Sequence, residues 1–329
     1  MGPLTIAIGS LTLLGLLKVP GWVQAIVAPP EAGLTGPGPE ITPVANFYRV
    51  SKNFVDPVVR EAGWRLHVGG LVDRPLDLAY RELARLPWIT QVVTLECISN
   101  EVGGGLMSTG RFTGVLLRDL LAMAGPRAGA AAVNFHSTDR YTESLPLSEA
   151  TGAPDILVAV LLDGAPLPGE HGFPARVLIP GRYGMKGPKW LDRIEVAAAE
   201  SGGLWEDQGW NPAAAVRTTS RIDSPREGAV LRRAMIPLAG VAFAGDRGIQ
   251  AVEWSADAGR SWSRAELSPA LSPLTWVLWR ATWTPAADGT YTLVVRARDG
   301  AGALQSAASQ PSYPAGASGY HKVHVAIGG

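Results

Sequence analysis

The sequence predicts an α+β region followed by an all-β sandwich, and three observations carry that reading. Between Asn46 and about Val196, short helical periodicities stand among strand-like runs without a regular alternation of the two. After about Ala215 the chain becomes short alternating strands separated by Gly-Asp, Asp-Ala-Gly and Asp-Gly turns. A chain of 329 residues is also long for a single core, so two globular units are expected, each large enough to fold without staples.

The N-terminus stands apart. Pro3 to Leu17 carries no charge, Lys18 follows, and Val19 to Ala28 is again mostly apolar around Pro20-Gly21. Fifteen helical residues cover about 22 Å, short of a hydrocarbon core of about 30 Å, whereas a kinked continuation through the lysine is long enough. Residues 1–28 therefore read as an apolar membrane anchor in preference to a cleaved signal, which lacks a basic start here and would meet Pro29-Pro30 at its cleavage site. Residues 29–44, with Pro29, Pro30, Pro37 and Pro39 among glycines, read as an extended linker. The expected location is membrane-anchored, with the remainder of the chain on the extracytoplasmic side.

Residues 45–215 form the predicted α+β unit. Trp64 to Val68, Gln91 to Leu95, Ala132 to Phe135, Ile156 to Leu162 and Arg176 to Ile179 read as strands. Leu78 to Leu86 and Leu116 to Ala124 read as helices. Residues 216–329 form the second unit, with strands at Val241 to Phe243, Ile249 to Ser255, Trp276 to Trp283 and Thr290 to Ala297. Their length and spacing indicate an immunoglobulin-like β-sandwich. Trp254, Trp262, Trp276, Trp279 and Trp283 are assigned to its core and to a packed interface, not to a ligand cage.

Charge and cysteine content narrow the function. Basic and acidic residues balance at 29 each, and no Lys/Arg stripe would track a phosphate backbone, so nucleic acid is not an expected partner. The single cysteine, Cys97, rules out an internal disulfide and any multi-cysteine zinc or iron–sulfur site. It follows the β-branched run Val92-Val93-Thr94 and precedes Ile98-Ser99-Asn100-Glu101 and three glycines. Its thiolate could be a nucleophile with His67, His136 or His171 as base, or it could hold a soft metal that arrives with its other ligands. A second cluster runs from His171-Gly172-Phe173-Pro174-Ala175-Arg176 to Lys186-Gly187-Pro188-Lys189-Trp190. Arginine and lysine in a glycine-rich loop suit a phosphate-bearing group. A third, Asn46-Phe47-Tyr48-Arg49, offers amide, phenol and guanidinium together.

In this order, with Thr94-Leu95-Glu96-Cys97, the Trp254 to Trp262 signature Trp-Ser-Ala-Asp-Ala-Gly-Arg-Ser-Trp and the tail His321-Lys322-Val323-His324-Val325, the clusters resemble the sulfite oxidase family of molybdenum-pterin oxidoreductases, which includes methionine-sulfoxide reductase catalytic subunits. The resemblance runs from about residue 44 to the C-terminus. It implies a sulfite-oxidase-type molybdopterin-binding catalytic domain at 45–215 and a dimerisation-type sandwich at 216–329. It implies that Cys97 binds molybdenum and, with Arg49, serves catalysis. Asn46, Tyr48, Arg49, Thr138, His171, Arg176, Gly187 and Lys189 are implied to hold molybdenum-molybdopterin. Such enzymes move an oxygen atom between molybdenum and a small oxo substrate, and exchange electrons with a carrier. No Cys-x-x-Cys-His haem attachment is present, so the carrier is expected to be a separate cytochrome or membrane partner.

The chain departs from the family pattern at two points. Sulfite oxidases place an arginine shortly after the metal-binding cysteine, where this chain has Asn100-Glu101-Val102, so a sulfite dianion would meet repulsion of about 1–4 kcal/mol at ~4 Å. Trp210 stands where the family has a tyrosine near the metal. A sulfoxide-like or other small oxo substrate is therefore expected in preference to sulfite. A sulfite dehydrogenase with a rebuilt pocket and a non-catalytic binding module on the same fold are the alternatives.

Overall fold

The computed structural model describes residues 26–27 and 38–328. Most of the expected anchor, residues 1–25, and the linker up to residue 37 lie outside the described residues. Among the described residues, no helix is long and apolar enough to cross a membrane. The described piece of the anchor is extended: Ile26–Val27 pairs antiparallel with Arg49–Val50. The expectation of a membrane-anchored, extracytoplasmic protein is corrected on that finding.

Two sheets build the first half. One runs Ala165–Pro166, Leu157–Leu162, Met107–Leu116, Ile89–Glu96, with Arg176–Leu178 also on Leu157–Leu162, and every pairing is antiparallel. The other runs Leu76–Ala79, Arg65–Gly70, Leu191–Ala197, Ala132–Ser137, Thr142–Pro146. Period-2 alternation splits the first sheet between two cores. Val158, Val160, Val115 and Val177 face the second sheet's Leu66, Val68, Phe135 and Ile194. Leu157, Ala159, Val93 and Leu95 face the other way, onto Phe47 and Tyr48.

Helix is scarcer than the α+β reading expected, and the molecule is mostly β. Leu117–Ala124 is helical as predicted: Leu117, Leu120, Leu121 and Ala124 form its buried stripe, and Gly125 ends it at φ +71°. Leu78 to Leu86 divides instead into the edge strand Leu76–Ala79, paired with Arg65–Gly70, and one helical turn, Tyr80–Leu83. The sequence reading lacked the ten-residue strand Met107–Leu116 because Gly110 and Gly114 interrupt it. Both glycines mark close approach: a Cβ on Gly114 would lie 2.0 Å from the Val158 carbonyl oxygen, and one on Gly110 2.6 Å from Leu162.

The second half is a two-sheet sandwich. Thr219–Ser224, Ile236–Phe243, Val277–Trp283 and Glu266–Leu267 form one sheet; Ala229–Leu231, His321–Ile327, Gly289–Asp299, Ile249–Ser255 and Ser263–Arg264 form the other. Leu238, Trp279, Trp283, Val252, Leu293 and Val295 fill the space between them. Val241, Phe243, Trp276 and Leu278 point outward onto Ile98, Met107, Tyr183 and Met185 of the first half. This junction lies next to Cys97.

Candidate active site

Strand Ile89–Glu96 delivers Cys97, and the ladder continues one step beyond it, with the Cys97 N–H donating to the Leu106 carbonyl at 3.0 Å. Asn100 is buried and ties the following loop across both arms. Its Nδ2 donates to Glu96 Oε1 at 2.9 Å and its Oδ1 accepts from the Leu106 N–H at 2.9 Å. The second half braces the strand: Thr94 N–H donates to Leu274 O at 3.0 Å, Trp276 N–H to Thr94 Oγ1 at 2.8 Å and Ser272 Oγ to Val92 O at 2.6 Å.

Cys97 is half-buried, with Sγ 3.0 Å from Ser99 Oγ. Burial pushes its thiol up and the Ser99 hydroxyl acts against that shift. Among the described residues no group of three or more His, Cys, Asp or Glu could hold a metal ion. A metal on Cys97 would have to bring its remaining ligands with it, as a pterin dithiolene does.

Around Phe47 and Tyr48 lies a collection of cations with too few acids. Arg176 is 7% exposed, its Nη1 donates to the His171 carbonyl at 3.2 Å, and its buried Nε has no partner. Burial lowers it to about 10. His171, buried and 5.3 Å from the Phe47 ring, is held down to about 4 by burial and then by Arg176. Lys189 is lowered to about 7, chiefly by burial, and its Nζ donates only to the carbonyls of Val50 at 3.2 Å and Glu170 at 2.9 Å. The neighbouring carboxylates are already engaged: Asp56 by Arg49 and Ser51, Asp139 by Lys52 and Asn53. Isolated buried cations are costly, so this arrangement fits an anionic group such as a pterin phosphate.

Glycines bring these residues together. Gly172, at φ +110°, has room for no side chain: a Cβ would stand 3.0 Å from Lys189 Cβ and 3.2 Å from Arg176 Cβ. Gly187 lies on Arg176–Leu178, where a Cβ would meet Val177 O at 2.5 Å. Tyr48 links the basic group to the thiol. It is buried, its N–H donates to Ser108 Oγ at 2.9 Å, and burial and then the nearby Cys97 drive its phenol well above the usual range.

The structure thus groups His171, Arg176 and Lys189, with Gly187 in the same loop, and Tyr48 stands within electrostatic reach of both Arg176 and Cys97. Arg49 joins them with its charge neutralised by Asp56 at 2.7 Å. Thr138 lies at the rim, where its hydroxyl donates to Asp192 Oδ2 at 3.0 Å and to Trp190 O at 3.3 Å. Asn46 sits half-buried in the 3-10 turn Val44–Asn46. His67 is exposed and His136 is bound to Glu195 at 3.1 Å, so neither stands as a base for the thiol. Glu101 accepts from Ser312 Oγ at 2.6 Å, and Trp210 packs edge-on against Tyr313 at 5.2 Å. The sequence reading missed Asn100 as the loop's clamp. It also missed the buried Tyr141 and Tyr183, which lie within electrostatic reach of Cys97, because isolated aromatics in strand-like text carry no signal beyond core.

Comparison with known proteins bears on this geometry directly. The model of the oxidoreductase molybdopterin binding domain matches residues 53–205. An Azospira oryzae protein named as a protein-methionine-sulfoxide reductase subunit, YedZ1, is 32% identical over 200 residues, covering 59% of this chain and 70% of that protein. This chain belongs to the sulfite oxidase family of molybdenum-pterin oxidoreductases. Mitochondrial sulfite oxidase of Mus musculus is 30% identical over 314 residues, covering 80% of this chain and 58% of that enzyme, so the chain spans little more than half of that relative's length. The sulfane dehydrogenase SoxCD of Paracoccus pantotrophus superposes with a TM-score of 0.77 over 95% of this chain and 92% of that one, at 20% identity, which shows a shared fold. The family's cofactor is molybdenum-molybdopterin, and the excess of buried positive charge at His171, Arg176 and Lys189 is what a phosphate-bearing cofactor requires.

Proposed function

We propose that this chain is an oxygen-atom transferase acting on a small oxo compound, with Cys97 as the protein's ligand to molybdenum. The observation that carries this reading is a group of cations, Arg176, His171 and Lys189, left without carboxylate partners among the described residues and joined through Tyr48 to the half-buried thiol. Tyr48, His171, Arg176, Gly187 and Lys189 would hold the pterin and its phosphate, with Asn46, Arg49 and Thr138 at the edge. Residues 45–215 would form the catalytic domain and 216–329 an immunoglobulin-like sandwich bracing it. When bound, the cofactor supplies two-electron oxygen-atom transfer.

The chain's own residues orient and exclude. Asn100 fixes the loop that carries the thiol, Tyr48 and Tyr183 are buried within electrostatic reach of it, and the Ser99 hydroxyl lies 3.0 Å from Sγ. Electrons would pass to or from a separate carrier. Sulfite is disfavoured because no arginine follows Cys97 and the charge of Arg49 is cancelled by Asp56. A sulfoxide-like substrate is favoured.

Protein from a molybdenum-replete host is expected to hold about one molybdenum per chain, to turn over sulfoxides faster than sulfite, and to lose both metal and turnover in Cys97→Ser. Metal-free, pterin-free wild-type protein, or a fully active Cys97→Ser, would overturn the reading. Faster turnover of sulfite would leave the transferase and reassign its substrate.

A further inference from the structure

We propose that the substrate carries an anionic group held by Arg217 in a cavity between the two halves of the molecule. The inference rests on the oxygen-transfer reading and goes further by naming the charge of the substrate and the residue that reads it.

The cavity has a volume of about 640 Å³, in the range of roughly 300–1,000 Å³ that accommodates metabolite-sized molecules. A bare sulfite ion would leave most of it empty. Arg217 and Arg247 are both on its wall, together with Asn211, Thr218, Ser306 and Gln310, and no carboxylate lines it. The two guanidiniums are not equivalent. Arg247 is spent on structure: Nε bonds Asp299 Oδ2 at 3.0 Å, and Nη2 donates to Val216 O at 3.1 Å and to Thr218 Oγ1 at 3.2 Å. Arg217 is half-buried, and only its backbone N–H is engaged, donating to Tyr183 Oη at 3.2 Å. Its guanidinium has no hydrogen bond or ion pair among the described residues. A planar fork on an acid-free wall, committed to no carboxylate among the described residues, suits a carboxylate or oxyanion.

The cavity adjoins the loop that follows the thiol. A narrow crevice lined by Glu96, Asn100, Glu101 and Tyr183 shares Thr218 and Ser318 with it as walls. Tyr183 interacts electrostatically with both Arg217 and Cys97. An anchor at Arg217 would hold the charged end of a molecule next to the Glu96 to Glu101 segment that carries Cys97. This places a substrate cation on the first strand-lead of the sandwich half, where the loop after the cysteine provides none.

The test is a calorimetric titration of the molybdenum-loaded protein with two probes. N-acetylmethionine sulfoxide has one carboxylate, ionised at pH 7, and its N-methylamide keeps the sulfoxide without the charge. Wild type is expected to bind the carboxylate at least tenfold more tightly than the amide. Arg217→Gln is expected to erase that preference while amide affinity, molybdenum content and thermal midpoint stay unchanged, and Arg217→Lys is expected to restore part of it. Equal binding of the two probes by wild type, no binding of the carboxylate, or a preference that survives Arg217→Gln would overturn the proposal. Cys97→Ser separates the two readings. Carboxylate preference retained with turnover lost supports both, whereas turnover retained removes the transferase reading and leaves the anion site standing on its own titration.

Discussion

Replacing Lys189 by methionine tests the claim that the basic group is built for an anion the chain does not itself supply. Burial lowers the ammonium from 10.5 to about 7, against the pull of Asp56 and with Arg176 adding repulsion. The sign follows from proton binding. Between about pH 7 and 10.5 the unfolded chain keeps this proton and the folded chain releases it, so the cofactor-free protein gains stability as pH rises through that window. At pH 6 the penalty of the buried charge is close to its full value of about 5 kcal/mol, and at pH 9 roughly 2 kcal/mol remains. The stability of wild type relative to Lys189→Met should therefore improve by roughly 2–3 kcal/mol from pH 6 to pH 9. The methionine variant keeps the stem's packing on Trp190, whose ring lies 4.3 Å from Nζ, and loses the bonds to Val50 and Glu170 at both pH values, so those losses cancel in the comparison. The assay is urea unfolding of protein from a pterin-deficient host at the two pH values, paired with pterin fluorescence of protein from a replete host. A flat difference across pH, or full pterin content in Lys189→Met, would refute the reasoning.

Further expectations follow from other parts of the molecule. Gly114→Ala drives a Cβ into the Val158 carbonyl at 2.0 Å and should cost at least about 3 kcal/mol, seen as a lowered thermal midpoint or loss of soluble protein. Asn100→Ala leaves buried Glu96 Oε1 without its donor and the Leu106 N–H without its acceptor, a loss of roughly 2–4 kcal/mol in urea unfolding, together with reduced molybdenum content. Glu143 is 0% exposed and shares Lys186 with Glu206, with bonds of 2.8 and 2.6 Å; burial raises its carboxyl to about 8. The folded chain holds that proton from about pH 4.5 to 8 while the unfolded chain does not, so stability falls as pH rises through this range. Glu143→Gln should flatten that fall, and an unchanged pH profile in denaturation would count against it.

What could be read from the sequence depended on how local its cause was. Leu117–Ala124 announced itself through its 3.6-residue stripe, and Ile89–Glu96 through its β-branched run. Met107–Leu116 did not, because its glycines answer to Val158 and Leu162, neighbours far away in the chain. The edge strand Leu76–Ala79 was taken for helix because only its pairing with Arg65–Gly70 makes it extended. The site divides in the same way. Cys97 and the His171 to Lys189 loop were visible as residue types in a pattern, and the resemblance gave them roles. The partners of Arg49 and Glu101 were not: Asp56 reads as an ordinary loop residue, and Ser312 lies at the far end of the sequence. The location expected from the apolar N-terminus is overturned because, among the described residues, no helix is long and apolar enough to cross a membrane and Ile26–Val27 is extended.

The bracing of the Cys97 strand by Ser272, Leu274 and Trp276 has a consequence for how such a protein can be divided. A chain cut near residue 215 would strip hydrogen-bond partners from Val92 and Thr94 and expose Ile98, Met107, Tyr183 and Met185 to water. The thiol would then sit on a frayed edge coated with grease, prone to stick to its neighbours. The first half is thus not a portable cassette, and recombination that exchanges the sandwich must carry over the Ser272–Trp276 corner to keep the Cys97 strand braced.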